Sequence, residues 1–83
     1  MKKEIVVRSS VGLHASLAAK IVQVTSKYNV EVLLHYKNKT VDVKSILGLM
    51  SLAIPSGENI VIEVNGDNAS DAISDISSIL SDN

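Results

Sequence analysis

The side chain best suited to chemistry in this sequence is a histidine that follows a strand-like segment and opens a segment with helical periodicity. His14 lies in the run Gly12-Leu13-His14-Ala15. The first amides of a helix have no acceptor within that helix, and the helix dipole places partial positive charge beside them. An imidazole in this setting suits a nucleophile that must carry an anion such as a phosphoryl group. The same residue could instead only cap the helix or lie idle at the surface.

A second candidate is a serine just ahead of a short apolar segment. Ser45 is placed to be the N-cap of a helix over residues 46–52, and capping alone would explain it. A phosphate on its hydroxyl would lie at the positive end of that helix, which favours an anion by about 0.3–1 kcal/mol. The helix has more apolar residues than one face can bury, so part of it should form an exposed docking surface. Alternatively these residues fill the core, which we expect to be partly true for Ile46 and for Leu49 or Met50.

Length and composition limit the other classes of function. The chain has 83 residues, enough for one domain (1–83) with a single core, and no cysteine, which excludes disulfides and thiolate metal sites. A net charge of −1 with only two tyrosines offers neither a basic stripe nor a stacking surface for direct nucleic-acid binding. No stretch reaches transmembrane length, and Glu4, Arg8 and Ser9 interrupt the first segment before it forms the apolar core of a signal peptide, so we expect a cytoplasmic protein without membrane insertion. No metal ligands are spaced to converge on His14, and no cofactor is expected.

The hydrophobic periodicity predicts seven elements that must position these residues. Short β-branched or alternating runs indicate strands, and apolar residues three and four apart indicate amphipathic helices. The strands are predicted at 4–8, 30–36, 40–43 and 59–64, and the helices at 15–28, 46–52 and 68–80. The order β-α-β-β-α-β-α favours an α+β fold in which helices cover one face of an antiparallel sheet.

Two motifs in this order carry a family resemblance. Gly12-Leu13-His14-Ala15, followed by Ala18, resembles the active-site signature of HPr, the histidine-containing phosphocarrier of the bacterial sugar phosphotransferase system. The block from Lys44 to Leu52 resembles the regulatory-serine signature of the same family, and the similarity spans nearly the whole chain. The resemblance implies an HPr-like open-faced sandwich with a four-stranded antiparallel sheet.

The resemblance also implies roles for the two sites. His14 would accept a phosphoryl group from enzyme I and pass it to IIA domains, while the backbone amides of Ala15 and Ser16 hold the phosphoryl oxygens. Ser45 would receive a regulatory phosphate from HPr kinase/phosphorylase, and the modified protein would pair with the repressor CcpA in low-GC Gram-positive bacteria. A monomer is expected, and its partner surface would consist of Lys20, Ile46, Leu47 and Met50.

The sequence departs from the family motif directly after the histidine. The motif reads Gly-x-His-Ala-Arg-Pro-Ala, whereas this chain has Ser16 and Leu17 in place of the arginine and proline. Losing the proline should cost little, because leucine favours the helix. Losing the arginine removes a permanent charge beside the phosphohistidine, and neither Lys20 nor Lys44 is an obvious replacement. We therefore expect slower or altered phosphoryl transfer at His14.

This departure leaves alternatives open. Crh, a relative of HPr, keeps the regulatory serine, lacks the phosphocarrier histidine and acts as a corepressor partner. The chain could therefore be a divergent carrier or a Crh-like regulator with weak or no transfer at His14. A third alternative is an unrelated small α/β binding module. Labelling by enzyme I and phosphoenolpyruvate distinguishes the first two.

Overall fold

The computed structural model describes residues 1–10 and 12–81, and its elements follow the predicted β-α-β-β-α-β-α order. Val11, in the predicted loop before His14, and residues 82–83 lie outside the described residues. No helix in the described part of the chain is long and apolar enough to span a membrane. The strands are β1 (Lys2–Val6), β2 (Val30–Tyr36), β3 (Lys39–Asp42) and β4 (Asn59–Gly66). The helices are α1 (Ala15–Thr25), α2 (Ile46–Ser51) and α3 (Ala69–Ser81).

The four strands form one antiparallel sheet in the order β1-β4-β2-β3. The register places Ile5 opposite Ile60 and Leu34 opposite Ile62, so the buried residues of three strands point to the same face. Contacts of α3 with β1 and β4, and of α2 with β3, place the helices over that face. The predicted α+β open-faced sandwich is thereby confirmed.

The core beneath the helices is almost entirely aliphatic. The fully buried side chains include Leu17 and Ile21 of α1 and Ile76 and Leu80 of α3. Burying a leucine or isoleucine side chain stabilises the fold by roughly 1.5–3 kcal/mol, so these residues fix α1 and α3 on the sheet. Helix α1 can therefore hold its first residues in a defined place.

Several element boundaries differ from the sequence-based prediction: those of β3, α2 and α3 by one residue, the end of β4 by two residues, and those of β1 and α1 as follows. Strand β1 starts and ends two residues early because its ladder with β4 runs from Lys2 to Val6. Helix α1 ends at Thr25 rather than Tyr28, because the N–H groups of Lys27 and Tyr28 donate only three residues back, to the Val24 and Thr25 carbonyls at 3.1 and 3.2 Å. The hydroxyl of Ser26 also donates to the Val22 carbonyl, at 2.7 Å. Hydroxyl groups that bond a helix carbonyl compete with continuation of the helix.

Tyr28 instead ties the end of α1 to α3. Its phenol donates a short hydrogen bond to Oδ2 of Asp75. That hydrogen bond, followed by partial desolvation and the negative charges of Asp75 and Asp71, raises the pKa of Tyr28 above its usual value of 10.0. The contact adds a polar link to the apolar packing between the two helices.

The face of the sheet that carries no helix holds a polar cluster. His35 Nδ1 lies 2.8 Å from the Thr40 hydroxyl, and His35 Nε2 lies 2.8 Å from Oε1 of Glu63. Asn65 donates to the other oxygen of Glu63, and Lys2 Nζ lies 4.0 Å from Oε1. The hydrogen bond from His35 is the main reason that the pKa of Glu63 lies below its usual 4.5.

Candidate functional site

The loop before α1 is pressed against the segment that follows α2. The Leu13 N–H donates to the Ile54 carbonyl at 2.9 Å, and the Gly12 N–H donates to the Ser9 carbonyl at 3.1 Å. Gly12 has a φ of 77°, and a Cβ built on it would lie 2.4 Å from the Ile54 oxygen. Only glycine fits this close approach without strain, and the approach fixes where His14 leaves the loop.

His14 is the N-cap of α1, with an extended backbone at φ −99° and ψ 174°. Its carbonyl accepts from the Ala18 N–H at 2.9 Å, and its ring nitrogen Nδ1 accepts from the Leu17 N–H at 3.4 Å. The predicted position at the start of a helix is confirmed. The simpler alternative also holds in part, because the imidazole caps the helix. Capping occupies the Nδ1 lone pair, so any reaction at that nitrogen must first release this hydrogen bond.

The first two amides of α1 are available to an anion. The N–H groups of Ala15 and Ser16 make no hydrogen bond within the described residues, and the first turn contains no acidic side chain. Both residues are exposed. Backbone amides at a helix start bind phosphate oxygens through hydrogen bonds and the helix dipole. The amides of Ala15 and Ser16 therefore have the environment that the sequence predicted. Their role in holding a phosphoryl group stays a prediction.

One feature of the site was missed by sequence reasoning. The sequence did not predict the hydrogen bond that the Leu17 N–H donates to Nδ1 of His14. The signal was present in the sequence, because a leucine supplies an N–H where the family motif has a proline without one.

The site has little permanent positive charge. The hydroxyl of Ser16 makes no hydrogen bond with the described residues, and Lys20 is exposed one turn further along α1. Within residues 1–10 and 12–81, the only ion pairs are those of Glu63, so His14 takes part in none. In the same part of the chain, no group of three or more histidine, cysteine or acidic side chains could hold a metal ion.

Ser45 is the N-cap of α2, as predicted. Its hydroxyl oxygen accepts from the Gly48 N–H at 3.0 Å, and its carbonyl accepts from the Leu49 N–H at 3.0 Å. The serine is exposed, and the first turn of α2 has no acidic side chain. The hydroxyl is therefore accessible to a modifying enzyme. Whether it is modified stays a prediction.

The apolar residues of α2 divide between core and surface. Leu49 is fully buried, whereas Ile46, Leu47 and Met50 are 39%, 81% and 43% exposed. The expectation that part of the helix fills the core is met by Leu49, while Ile46 is more exposed than expected. Three neighbouring apolar side chains in water beside a serine form a surface suited to a partner. Because α2 contacts α1, this surface and Lys20 lie on adjacent helices.

The comparisons with known proteins agree with this geometry. The model of the family described as "PTS HPr component phosphorylation site" matches residues 1–82. Phosphocarrier protein HPr from Bacillus anthracis is 34% identical, with a TM-score of 0.91, over 96% of this chain and 95% of that one. HPr-C-His from Thermoanaerobacter tengcongensis is 32% identical, with a TM-score of 0.90, over 96% and 90%.

A relative with a regulatory name is also similar. Crh, the Bacillus subtilis catabolite repression protein, is 31% identical, with a TM-score of 0.79, over 96% of this chain and 92% of that one. The family match over almost the whole length, the four-stranded sheet covered by three helices, and a histidine capping the first helix point to one conclusion: this chain belongs to the HPr family of phosphocarriers.

Proposed function

We propose that this protein is a phosphoryl carrier of the sugar phosphotransferase system, loaded at His14 by enzyme I and unloaded by IIA domains. The observation that carries the proposal is the position of Nδ1, which accepts from the Leu17 N–H in the first turn of α1. The Nδ1 lone pair forms the new N–P bond while the bond between phosphorus and the donor breaks, and its electron pair leaves with the donor. The Nε2 proton can then pass to solvent.

The free amides support this assignment because they lie where negative charge arrives. The N–H groups of Ala15 and Ser16 have no partner within the described residues, so they can donate to phosphoryl oxygens without breaking an existing bond. Donors that are already in place before charge develops lower the barrier to transfer. Two neutral donors replace only part of the interaction that a charged side chain would add. We therefore expect transfer that is slower than in a chain with arginine at position 16.

Regulation through Ser45 is the second part of the proposal. The exposed hydroxyl is the substrate of HPr kinase/phosphorylase, and phosphate placed there meets no acidic side chain in the first turn of α2. The exposed Ile46, Leu47 and Met50, together with Lys20, form the surface shared by partners. A phosphate on Ser45 places negative charge at the edge of this apolar surface, so CcpA would contact both the charge and the apolar side chains.

A Crh-like regulator is the alternative function. The uncharged Ser16 and the similarity to Crh support it. In this alternative the protein acts through phosphorylated Ser45, and His14 transfers phosphate weakly or not at all. The presence of His14 at the start of α1 favours the carrier over this alternative.

Cellular location and assembly complete the proposal. We place the protein in the cytoplasm, where its proposed partners act, and expect a monomer. The Crh structure is described as a dimer with a swapping domain. Size-exclusion chromatography with light scattering distinguishes a monomer from a dimer at the concentrations used for phosphoryl transfer.

Incubation with enzyme I and labelled phosphoenolpyruvate tests the carrier. We expect acid-labile label on the protein that is lost in His14→Ala. The chain offers a matched control, because His35→Ala removes the only other histidine and should leave labelling unchanged. Absence of label, together with normal labelling of Ser45 by the kinase and ATP, would overturn the carrier and support the regulator. Label that survives in His14→Ala would place the acceptor elsewhere.

A further inference from the structure

The nitrogen assigned as the nucleophile has a hydrogen-bond donor built into the backbone. Leu17 is the third residue of α1, and its N–H lies 3.4 Å from Nδ1 of His14. The Leu17 side chain is 1% exposed and packs in the core, so its backbone cannot turn the N–H away without disturbing the fold. The next amide, from Ala18, holds the His14 carbonyl at 2.9 Å. Two successive amides therefore fix the backbone and the ring of His14.

This contact determines which ring nitrogen carries the proton. A neutral imidazole has one N–H donor and one acceptor nitrogen, and the hydrogen bond made by one nitrogen sets the tautomer. Nδ1 accepts from the Leu17 N–H, so the proton of the neutral ring lies on Nε2. The lone pair that must attack phosphorus is then directed at the Leu17 N–H, in the same first turn of α1 that contains the amides of Ala15 and Ser16.

We infer that the Leu17 amide is a positioning group for His14 with one function before transfer and another after it. Before transfer it holds the neutral ring in the Nε2–H tautomer. When the N–P bond forms, the Nδ1 lone pair is consumed, and the Leu17 N–H becomes a third amide donor to the phosphoryl oxygens. The second function rests on the proposed carrier activity, whereas the first does not require phosphate.

The inference is specific to this chain because the residue type at position 17 creates the donor. A proline there, as in the family motif, has no N–H and could neither bind Nδ1 nor donate to the phosphoryl group. The replacement therefore adds a neutral donor in the same chain that lacks the arginine charge at position 16. It also means that a hydrogen bond must be released before the lone pair can react.

Replacing single backbone amides by esters tests the inference without changing a side chain. The 83-residue chain is made synthetically with the α-hydroxy analogue of leucine at position 17, which replaces that N–H by an ester oxygen, weakens the Ser16 carbonyl as an acceptor and keeps the side chain. The matched control carries the α-hydroxy analogue of serine at position 16, whose N–H makes no hydrogen bond within the described residues. Nitrogen-15 NMR of the neutral ring then gives the tautomer ratio of His14, and the His35 ring serves as an internal reference.

We expect the Nε2–H tautomer to predominate in the unmodified chain. The ester at Leu17 should lower the ratio of the Nε2–H to the Nδ1–H form by about two- to tenfold, the range expected for one hydrogen bond. The ester at Ser16 should leave the ratio unchanged. An Nδ1–H ring in the unmodified chain, an unchanged ratio in the Leu17 ester, or an equal change in both esters would overturn the inference.

The second function is measured after phosphorylation by phosphoramidate, which needs no enzyme I. The Nδ1–P bond forms, the P–N bond of phosphoramidate breaks, and ammonia leaves with a proton. Because three donors stabilise the phosphorylated ring, the Leu17 ester should hydrolyse about two- to tenfold faster than the unmodified chain. Equal hydrolysis rates would overturn the second function.

If the Leu17 ester does not fold, Leu17→Pro removes the same N–H. The scalar coupling between Leu17 N–H and Nδ1 in the unmodified chain also measures the hydrogen bond directly. Failure of enzyme I labelling alone would refute the carrier proposal and leave the tautomer result standing.

Discussion

The Cα of Gly12 lies so close to the carbonyl of Ile54 that a Cβ on the glycine would come within 2.4 Å of that oxygen. The neighbouring Leu13 N–H donates to the same oxygen at 2.9 Å. The loop that presents His14 is therefore fixed on the segment after α2 by one hydrogen bond and one close backbone approach. Stability and the geometry of the site depend on the same contact.

Replacing Gly12 by alanine should disrupt that contact. An alanine at φ 77° costs about 1–2 kcal/mol in backbone strain, and the overlap with a backbone oxygen can be relieved only if the loop moves. We expect Gly12→Ala to lower the free energy of unfolding by about 3 kcal/mol or more, measured by urea denaturation, and to shift the NMR signals of the His14 ring.

Gly57 provides the matched control for this substitution. It has a φ of 87°, but a Cβ on it would meet no atom within 4 Å. Gly57→Ala should therefore cost only the backbone strain, about 1–2 kcal/mol, and leave the His14 signals unchanged. Equal losses of stability in the two variants would show that the Ile54 oxygen does not restrict position 12.

The cap on α2 gives a second prediction. Ser45→Ala removes the acceptor of the Gly48 N–H and should reduce stability by about 0.5–2 kcal/mol, or several degrees in the melting temperature. Ser45→Asn keeps a capping oxygen and should recover most of this loss. Ser51→Ala, which removes an exposed hydroxyl at the other end of the helix, is the control and should have a smaller effect. Equal stability of Ser45→Ala and the unmodified chain would show that the Ser45 cap does not stabilise the fold.

The fold could be predicted from the sequence because its signals are local and repeated. The apolar stripe of α3 and the alternation in β2 and β4 each depend on the periodicity of one segment. Ser45 was also predictable as a cap, since a serine before an apolar run has few other roles. Helix ends were less accurate. At the end of α1 the N–H groups of Lys27 and Tyr28 bond three residues back and the hydroxyl of Ser26 bonds the Val22 carbonyl, which periodicity does not encode.

The site could be predicted in its position but not in its contacts. The residues after His14 identified the helix start and the free amides. The contact between Nδ1 and the Leu17 N–H depends on the ring orientation, which a sequence does not specify. The close approach of Gly12 to Ile54 joins segments about forty residues apart, so it needs the assembled sheet and helices.

The link between α1 and α3 predicts the titration of a tyrosine. The pKa of Tyr28 is raised chiefly by its hydrogen bond to Asp75, whereas Asp71 raises it only through its negative charge. Asp75→Asn should therefore lower the pKa of Tyr28, followed by ultraviolet difference titration, toward 10.0. Asp71→Asn is the matched control with the same change in charge, and its effect should be smaller. A larger shift in Asp71→Asn would contradict the hydrogen bond as the main cause.

The polar cluster on the open face of the sheet predicts a dependence of stability on pH. The pKa of Glu63 is lower in the folded protein than its usual 4.5, mainly because of the hydrogen bond from His35. A carboxylate with a lowered pKa stabilises the fold fully above its unfolded pKa, and that stabilisation is lost as the pH falls through the lower folded value.

Melting temperatures between neutral and acidic pH measure this contribution. In the unmodified chain, part of the loss of stability below about pH 4.5 comes from Glu63, and Glu63→Gln should remove that part. Glu31→Gln makes the same change in charge on the same face of β2, away from His35, and serves as the control. If Glu63→Gln and the unmodified chain lose stability in parallel below that pH, the His35–Glu63 bond contributes nothing to the folded state.

The missing charge beside His14 gives the prediction with the largest expected effect on activity. Ser16 is exposed at the second position of α1, so an arginine there need not enter the core, and it follows His14 by two residues. A charge-assisted hydrogen bond contributes about 1.5–3 kcal/mol, which corresponds to roughly ten- to a hundredfold in rate if it acts fully in the transition state. Ser16→Arg should therefore accelerate labelling of His14 by enzyme I, and the gain should shrink as salt is added, because screening weakens exposed charges.

Ala19→Arg adds the same charge at an exposed position one turn further along α1, and it should give a much smaller gain. Equal rates in Ser16→Arg and the unmodified chain would mean that the neutral amides of α1 already suffice for transfer, and the electrostatic explanation for slow transfer would be wrong.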